Sequence, residues 1–283
     1  MENLEIEQNR LPKGTLSIAG AESGGTAGIH ADLKAFQEVG VYGMATITAI
    51  VGRHPKTNKN VHPIDLEAIE AQFATAVARN PIDSIKTGML FSQQVIKLVA
   101  NMLNTFDVPR PVVDPVMIGK LDSKLLNDDA IATLQSEIFP LAKLITPNMM
   151  EASVLLGNRK IEKVTDLAQA AIDLHEQGPQ HIIVKGGRLE GPAIDVLYDG
   201  KTLTYYEAPR IQTQNTSGAG DSYSAAIAAY LAQDYEMEAA VLAAKQLVTT
   251  AIAHSFSYSS MPGPVNIIGA KNYDSALKVR MYK

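Results

Sequence analysis

The run Asn215-Thr216-Ser217-Gly218-Ala219-Gly220-Asp221 decides how this chain is read. Gly218 and Gly220 leave the backbone without Cβ atoms, so successive N–H groups can turn into one small space. The residues that follow, 222–231 (SYSAAIAAYL), are rich in Ala and read as a buried helix. The bare turn therefore stands at a helix N-terminus, where unpaired amides and about half a positive charge attract anions, phosphate above all. Asp221 lies at the rim of that site, placed to take a proton from an attacking hydroxyl. An anion cradle beside a base points to phosphoryl transfer to an alcohol. The same residues also fit a Gly-rich loop with an Asp in the first helical turn, where the helix dipole alone favours a carboxylate.

Outward from that loop, short apolar runs alternate with helical patterns. Strand-like runs stand at 15–20 (TLSIAG), 44–51 (MATITAIV), 84–90 (SIKTGML), 111–117 (PVVDPVM), 144–147 and 181–185 (HIIVK). Helical patterns stand at 27–38, 65–78, 93–104, from about 149, and at 165–177. This alternation predicts βαβ units and an α/β fold with a mainly parallel sheet. Asp199-Gly200 between the runs 194–198 and 202–206 predicts a hairpin just before the 215–221 loop. Two Ala-rich helices, 218–232 and 236–254, close the core. Ligands of an open parallel sheet sit beyond the carboxyl ends of its strands. The polar and Gly clusters fall at those ends: 20–28, 86–89, Asp114, 148–151 and 185–187.

The 283 residues are 46% hydrophobic and 19% charged, ample for a full core. No repeat or linker divides them, so a single domain over 15–283 follows a polar N-terminal extension, 1–14. The net charge of −5, with no block of Lys or Arg, argues against a nucleic-acid surface. The absence of cysteine excludes disulfides, thiolate metal sites and a Cys nucleophile. Residues 1–14 lack the apolar segment of a signal peptide, and no run of 18 apolar residues exists, so no membrane partner and a cytoplasmic location are expected.

Asp114 ends a buried run before Pro115, as a cap facing solvent or as a ligand for Mg²⁺, which prefers hard oxygen donors and keeps several waters. Asn148 and Glu151 have the spacing of a capping box and equally that of a metal–water pair. Lys185 and Lys86 end strands beside glycines, either snorkelling to water or reaching for a phosphate. The six histidines show no metal spacing. No Gly-x-x-x-x-Gly-Lys-Ser/Thr loop is present, and no Gly-x-Gly-x-x-Gly follows a strand. The segment 118–125 (IGKLDSKL) is polar, contains Gly119, and reads as a mobile flap that closes over substrate and excludes water.

Seven segments in order along residues 15–265 resemble the ribokinase-like superfamily. They are 19–34 (AGAESGGTAGIHADLK), 40–43 (GVYG), 86–90 (KTGML), 113–117 (VDPVM), 146–152 (TPNMMEA), 184–187 (VKGG) and 215–221 with its helix. Within the superfamily they are similar to the branch of pyridoxal kinases and hydroxymethylpyrimidine (phosphate) kinases, and to its pyridoxal kinase members in particular. The resemblance implies a three-layer αβα fold and ATP- and Mg²⁺-dependent phosphorylation of the hydroxymethyl group of pyridoxal or a related vitamer. It implies Asp221 as the base and the amides of Gly218, Ala219 and Gly220 as the anion hole. It places Asn148, Lys185, Gly187, Thr216, Gly218 and Gly220 at the nucleotide, and Asp114 and Glu151 at Mg²⁺ and its waters. The substrate ring then lies by Gly20, Glu22, His30, Val41 and Met89, and the molecule is a homodimer.

Departures from the branch narrow the substrate. Glu22 and His30 stand where pyrimidine kinases usually carry Asp and Gln, and a neutral His offers a pyrimidine edge one donor and one acceptor on a different geometry. Asp221 stands where many members carry Cys. With no thiol at Gly119 or elsewhere, a hemithioacetal with the pyridoxal aldehyde is impossible. Asn215 replaces a common Asp of a monovalent-cation site. Two other readings stand beside this one: a hydroxymethylpyrimidine kinase and a non-catalytic B6-binding protein.

Overall fold

The computed structural model describes residues 11–52, 54–57, 60–117, 125–258, 262–268, 270, 273 and 277–283. The flap segment, Gly119 included, lies outside the described residues except for Leu125.

Alternating apolar runs form the strands β1 (Gly14–Glu22), β2 (Tyr42–Val51), β3 (Val61–Pro63), β4 (Ser84–Thr87), β5 (Val112–Val113), β6 (Leu144–Ile145), β7 (Ile182–Lys185), β8 (Ala193–Tyr198), β9 (Leu203–Ala208) and β10 (Arg280–Tyr282). They make one sheet in the order β10-β9-β8-β7-β6-β5-β4-β1-β2-β3. Pairing is parallel from β2 through β1, β4, β5 and β6 to β7. It is antiparallel from β7 to β10 and at the β2–β3 edge. The hairpin over Asp199-Gly200 is thus present, extended by a third antiparallel strand.

The helices are α1 (Ile29–Val39), α2 (Leu66–Arg79), α3 (Gln93–Thr105), α4 (Asp128–Thr133), α5 (Met149–Leu155), α6 (Val164–His175), α7 (Ala219–Ala232) and α8 (Met237–Ala253). Each strand sends alternate residues to opposite faces. On β5 to β7, Val113, Ile145, Ile182 and Val184 join a core with Ile69, Phe73, Ile96 and Leu167 of α2, α3 and α6. Val112, Leu144 and Ile183 join a second core with Phe36, Ala226 and Val241 of α1, α7 and α8. The sheet is therefore sandwiched, in the three layers expected. No helix among the described residues is long and apolar enough to cross a membrane.

Two strands stop earlier than their sequences predict. The 111–117 run pairs only at Val112 and Val113, because Pro115 has no N–H to donate and Val116 bonds back to the carbonyl of Asp114 at 2.8 Å. The 84–90 run leaves the sheet after Thr87, where Gly88 donates a last bond to Ile18. The first break turns Asp114, and the second Gly88 and Met89, out at the carboxyl end of the sheet.

Candidate active site

The 215–221 loop is held from several sides. Ser217 exchanges backbone bonds with Gly263 and Val265, and the Asn215 side chain accepts from Gly263 N at 2.7 Å. Asn215 therefore serves as a tether between two loops. Gly218 has φ 76, and a Cβ there would overlap the carbonyl oxygen of Thr26. Only glycine allows both that conformation and that approach. The amide of Ala219, one of the three expected at the anion hole, donates to Thr216 O at 3.2 Å. The amides of Gly218, Gly220 and Asp221 find no acceptor among the described residues. They are the orphan donors of the α7 N-terminus.

Asp221 is partly exposed, at 21% of its side chain, and accepts from Gly28 N at 3.0 Å through Oδ1. Behind it lies Lys86, fully buried, with Nζ 2.9 Å from both oxygens of Asp32 and 4.0 Å from Asp221 Oδ1. Ser17 donates to Asp32 at 2.6 Å. Burial pushes the Asp32 carboxyl up to about 6, against the pull of Lys86 and with the repulsion of Asp221. Lys86 thus neither snorkels nor reaches a phosphate: it is one member of an internal ion pair.

A second buried pair stands alongside. Lys185 Nζ lies 3.1 Å from Asp114 Oδ1, which also accepts from Thr146, while Oδ2 accepts from Ser224. Burial opposes the charge of Asp114, yet Lys185 and then Lys86 hold its pKa below the ordinary carboxylate value. Asn148 and Glu151 form the capping box in full: Asn148 Oδ1 accepts from Met150 N and Glu151 N, and Glu151 Oε2 accepts from Asn148 N at 2.9 Å. Burial raises Glu151 to about 8, with Lys185 opposing and Asp114 adding to the rise.

Among the described residues, no three acidic or histidine side chains gather to hold a metal ion directly. Asp114 and Glu151 nevertheless fit Mg²⁺ of the kind that takes one or two carboxylates, several waters and substrate phosphates.

A cavity of about 530 Å³ opens from these groups toward the antiparallel end of the sheet. Of the six residues expected at a nucleotide, Asn148, Lys185, Gly187, Thr216 and Gly220 line it and Gly218 does not. A Cβ on Gly220 would sit 3.4 Å from Lys185 Nζ, so that ammonium reaches the anion loop. The far wall is apolar, with Ile211, Val248 and Ile252. Arg210 shapes its rim by donating to the carbonyls of Gly187, Leu189 and Gly191.

Lys245 and Asp195, paired at 2.5 Å, and Tyr223 also line the cavity and are absent from the sequence reading. Their signal was present. Lys245 lies in the buried stripe of α8, just as Asp32 lies in the buried stripe Ile29, Asp32, Ala35, Phe36, Val39 of α1. A charge in such a stripe demands a buried partner.

The ring-binding set is reached only in part. Gly20 and Met89 meet, since a Cβ on Gly20 would lie 2.5 Å from Met89 Cε. Glu22 spends its carboxylate on its own loop, accepting from Gly24 N, Thr26 N and Thr26 Oγ1. His30 Nδ1 lies 2.6 Å from the carbonyl of Glu22, which can only accept, so Nδ1 carries the hydrogen and Nε2 is the remaining polar atom of the ring. Val41 stands apart from these residues. It precedes β2, at the amino end of the parallel sheet, and is buried in the core of α1, α7 and α8. Val51, at the carboxyl end of β2, has Cγ2 3.5 Å from the Gly20 Cβ position and so stands with Met89 beside Gly20.

Residues 22–266 match the family model described as phosphomethylpyrimidine kinase. The chain is 42% identical over 253 residues to a pyridoxine kinase of Bacillus subtilis, covering 88% of this chain and 93% of that protein. It is 36% identical over 255 residues to a hydroxymethylpyrimidine/phosphomethylpyrimidine kinase of Streptomyces coelicolor, covering 90% and 94%. Its structure is similar to the pyridoxal kinase of Staphylococcus aureus in complex with AMP-PCP and pyridoxal, with a TM-score of 0.87, 35% identity and coverage of 96% and 99%.

Proposed function

The chain belongs to the phosphomethylpyrimidine kinase family of the ribokinase-like superfamily, and we propose that this kinase transfers the γ-phosphoryl group of ATP to the hydroxymethyl oxygen of pyridoxal. The observation that carries the reading is a partly exposed carboxylate, Asp221, at the mouth of three unpaired amides with the Lys185 ammonium beside them.

Asp221 takes the hydroxymethyl proton. The oxygen so released attacks the γ-phosphorus in line, the bond to the β–γ bridging oxygen breaks, and ADP leaves. The amides of Gly218, Gly220 and Asp221 meet the charge on the migrating group, preorganised at the helix N-terminus and without reorganisation at the moment of reaction. Lys185 neutralises a neighbouring phosphate. Asp114 and Glu151 would hold Mg²⁺, which would supply further neutralisation of phosphate charge. The nucleotide lies in the cavity, its base against Ile211, Val248 and Ile252. The acceptor ring lies over Gly20 and Met89, with Val51 and His30 at its margin.

Pyridoxal is favoured over a hydroxymethylpyrimidine because Glu22 is consumed within its loop and His30 presents one ring nitrogen, where a pyrimidine edge needs a paired donor and acceptor. A coupled ADP-release assay on pyridoxal, pyridoxine, pyridoxamine and hydroxymethylpyrimidine tests the reading. The expected result is the highest kcat/KM with a B6 vitamer. A higher value with hydroxymethylpyrimidine overturns the substrate, and no turnover with any of the four alcohols overturns the reading altogether.

A further inference from the structure

Lys86 is an unusual neighbour for a general base: a fully buried ammonium that never reaches solvent. It comes from β4, Asp32 from α1, Ser17 from β1 and Asp221 from α7, so four elements converge on one cluster. Burial opposes its charge, but Asp32, then Asp221 and Asp114, outweigh that and raise its pKa, so it stays an ammonium. Its contacts are unequal. Both oxygens of Asp32 lie at 2.9 Å, whereas Asp221 Oδ1 lies at 4.0 Å, beyond hydrogen-bond reach. A Cβ on Gly88 would stand 2.9 Å from Nζ, so the ammonium packs directly on that backbone.

We propose that Asp32 is a positioning residue that holds Lys86 away from Asp221, so that the carboxylate, fixed through Oδ1 by Gly28 N–H, stays open to the acceptor hydroxyl. A buried cation deprived of its partner is drawn to the next carboxylate, and after Asp32 it is Asp221, at 4.0 Å, that lies within ion-pair range of Lys86 among the described residues. That move would replace a 4.0 Å separation by a direct ion pair and occupy the lone pairs that accept the substrate proton. Ser17 steadies the restraint by donating to Asp32 Oδ2 at 2.6 Å. The inference rests on Asp221 being the base.

The test is a kinetic cycle on the full chain with ATP·Mg²⁺ and pyridoxal. Asp32→Asn keeps the volume and removes the charge. It is expected to lower kcat about 10- to 100-fold, a part of what a general base supplies, with KM for ATP within about twofold. Lys86→Met added to Asp32→Asn removes the stranded cation, and kcat is expected to rise at least about tenfold above the single variant, the coupling expected of residues in contact. A packing defect alone would make the double variant no better than the single one. Ser17→Ala deletes only a hydroxyl and decides the matter even if Asp32→Asn does not fold: kcat is expected to fall about threefold or more with KM for ATP unmoved. Wild-type kcat in Asp32→Asn or in Ser17→Ala, or a double variant no faster than Asp32→Asn, overturns the inference. Asp221→Asn measured alongside separates the two levels. An Asp221→Asn enzyme with full turnover removes the base itself, whereas an inactive one beside a fully active Asp32→Asn removes only the role of Asp32.

Discussion

The backbone amide of Gly28 donates to Oδ1 of Asp221 at 3.0 Å, joining positions 193 apart in sequence. This bond locks the loop after β1 to the first turn of α7, so the proposed acceptor side and the proposed phosphoryl side form one unit. Gly218 strengthens the join, since its bare Cα lets the carbonyl of Thr26 approach from the same loop.

Gly218→Ala should therefore damage both stability and turnover. The position combines a left-handed φ of 76 with an overlap between an added Cβ and Thr26 O. The expected cost is about 1–3 kcal/mol or more, read from urea unfolding, with a fall in kcat. Gly187→Ala is the control. Nothing lies within 4 Å of its Cβ position and its φ is not left-handed, so its stability should stay near wild type. Equal losses in the two variants contradict the role given to the Thr26–Gly218 contact.

Glu151 predicts a pH-dependent stability. Burial raises its carboxyl from the ordinary 4.5 to about 8. The folded protein then keeps a proton that the unfolded chain releases, so this group's contribution falls as pH rises from about 4.5 through 8. Glu151→Gln preserves an oxygen for the Asn148 amide and removes the titration. Relative to wild type, its urea midpoint should improve between pH 5.5 and 8.5. A constant difference across that range contradicts the raised value.

Arg210 touches three carbonyls of the 187–191 loop at the rim of the cavity. Arg210→Ala should loosen that rim and raise KM for ATP severalfold, with kcat within about twofold, because the lost contacts are uniform binding contacts. A change confined to kcat would contradict the placement of the nucleotide.

Val51 and Val41 separate the two ends of the sheet. Val51→Ala should raise KM for pyridoxal with little change in stability, since Val51 is only half-buried at the carboxyl end of β2. Val41→Ala should cost about 1–3 kcal/mol as a core truncation and leave KM for pyridoxal unchanged. The opposite pattern would restore Val41 to the site.

Much of this architecture was legible in the chain. Apart from β3 and α4, strands and helices alternate with clear signals from β1 to β7, and the Asp199-Gly200 hairpin and the 215–221 loop carry strong local signals. The three-residue strands β3 and β10 have no period to read, and Pro63 ends the first of them. The α4 helix, capped by Asn127 Oδ1 accepting from Ala130 N, is absent from the sequence reading because its six residues are too few to show a period. Asp114, Asn148, Lys185 and Gly187 converge because residues at the carboxyl ends of parallel strands share one edge, which the element order alone implies. That Val41 lies at the amino end of β2 and Val51 at its carboxyl end was not legible, because apolar character does not reveal which end of a strand a residue occupies. The turn that engages the Ala219 amide and the 4.0 Å gap between Lys86 and Asp221 are tertiary facts, and no spacing encodes them.

The central claim is that Asp221 deprotonates the acceptor alcohol in front of the α7 amides. Steady-state turnover of Asp221→Asn with pyridoxal and ATP·Mg²⁺ tests it most directly. The account predicts a kcat lower by about 10²–10⁴, with KM for ATP nearly unchanged, because the amides and Lys185 remain. Turnover close to wild type in that variant would contradict it.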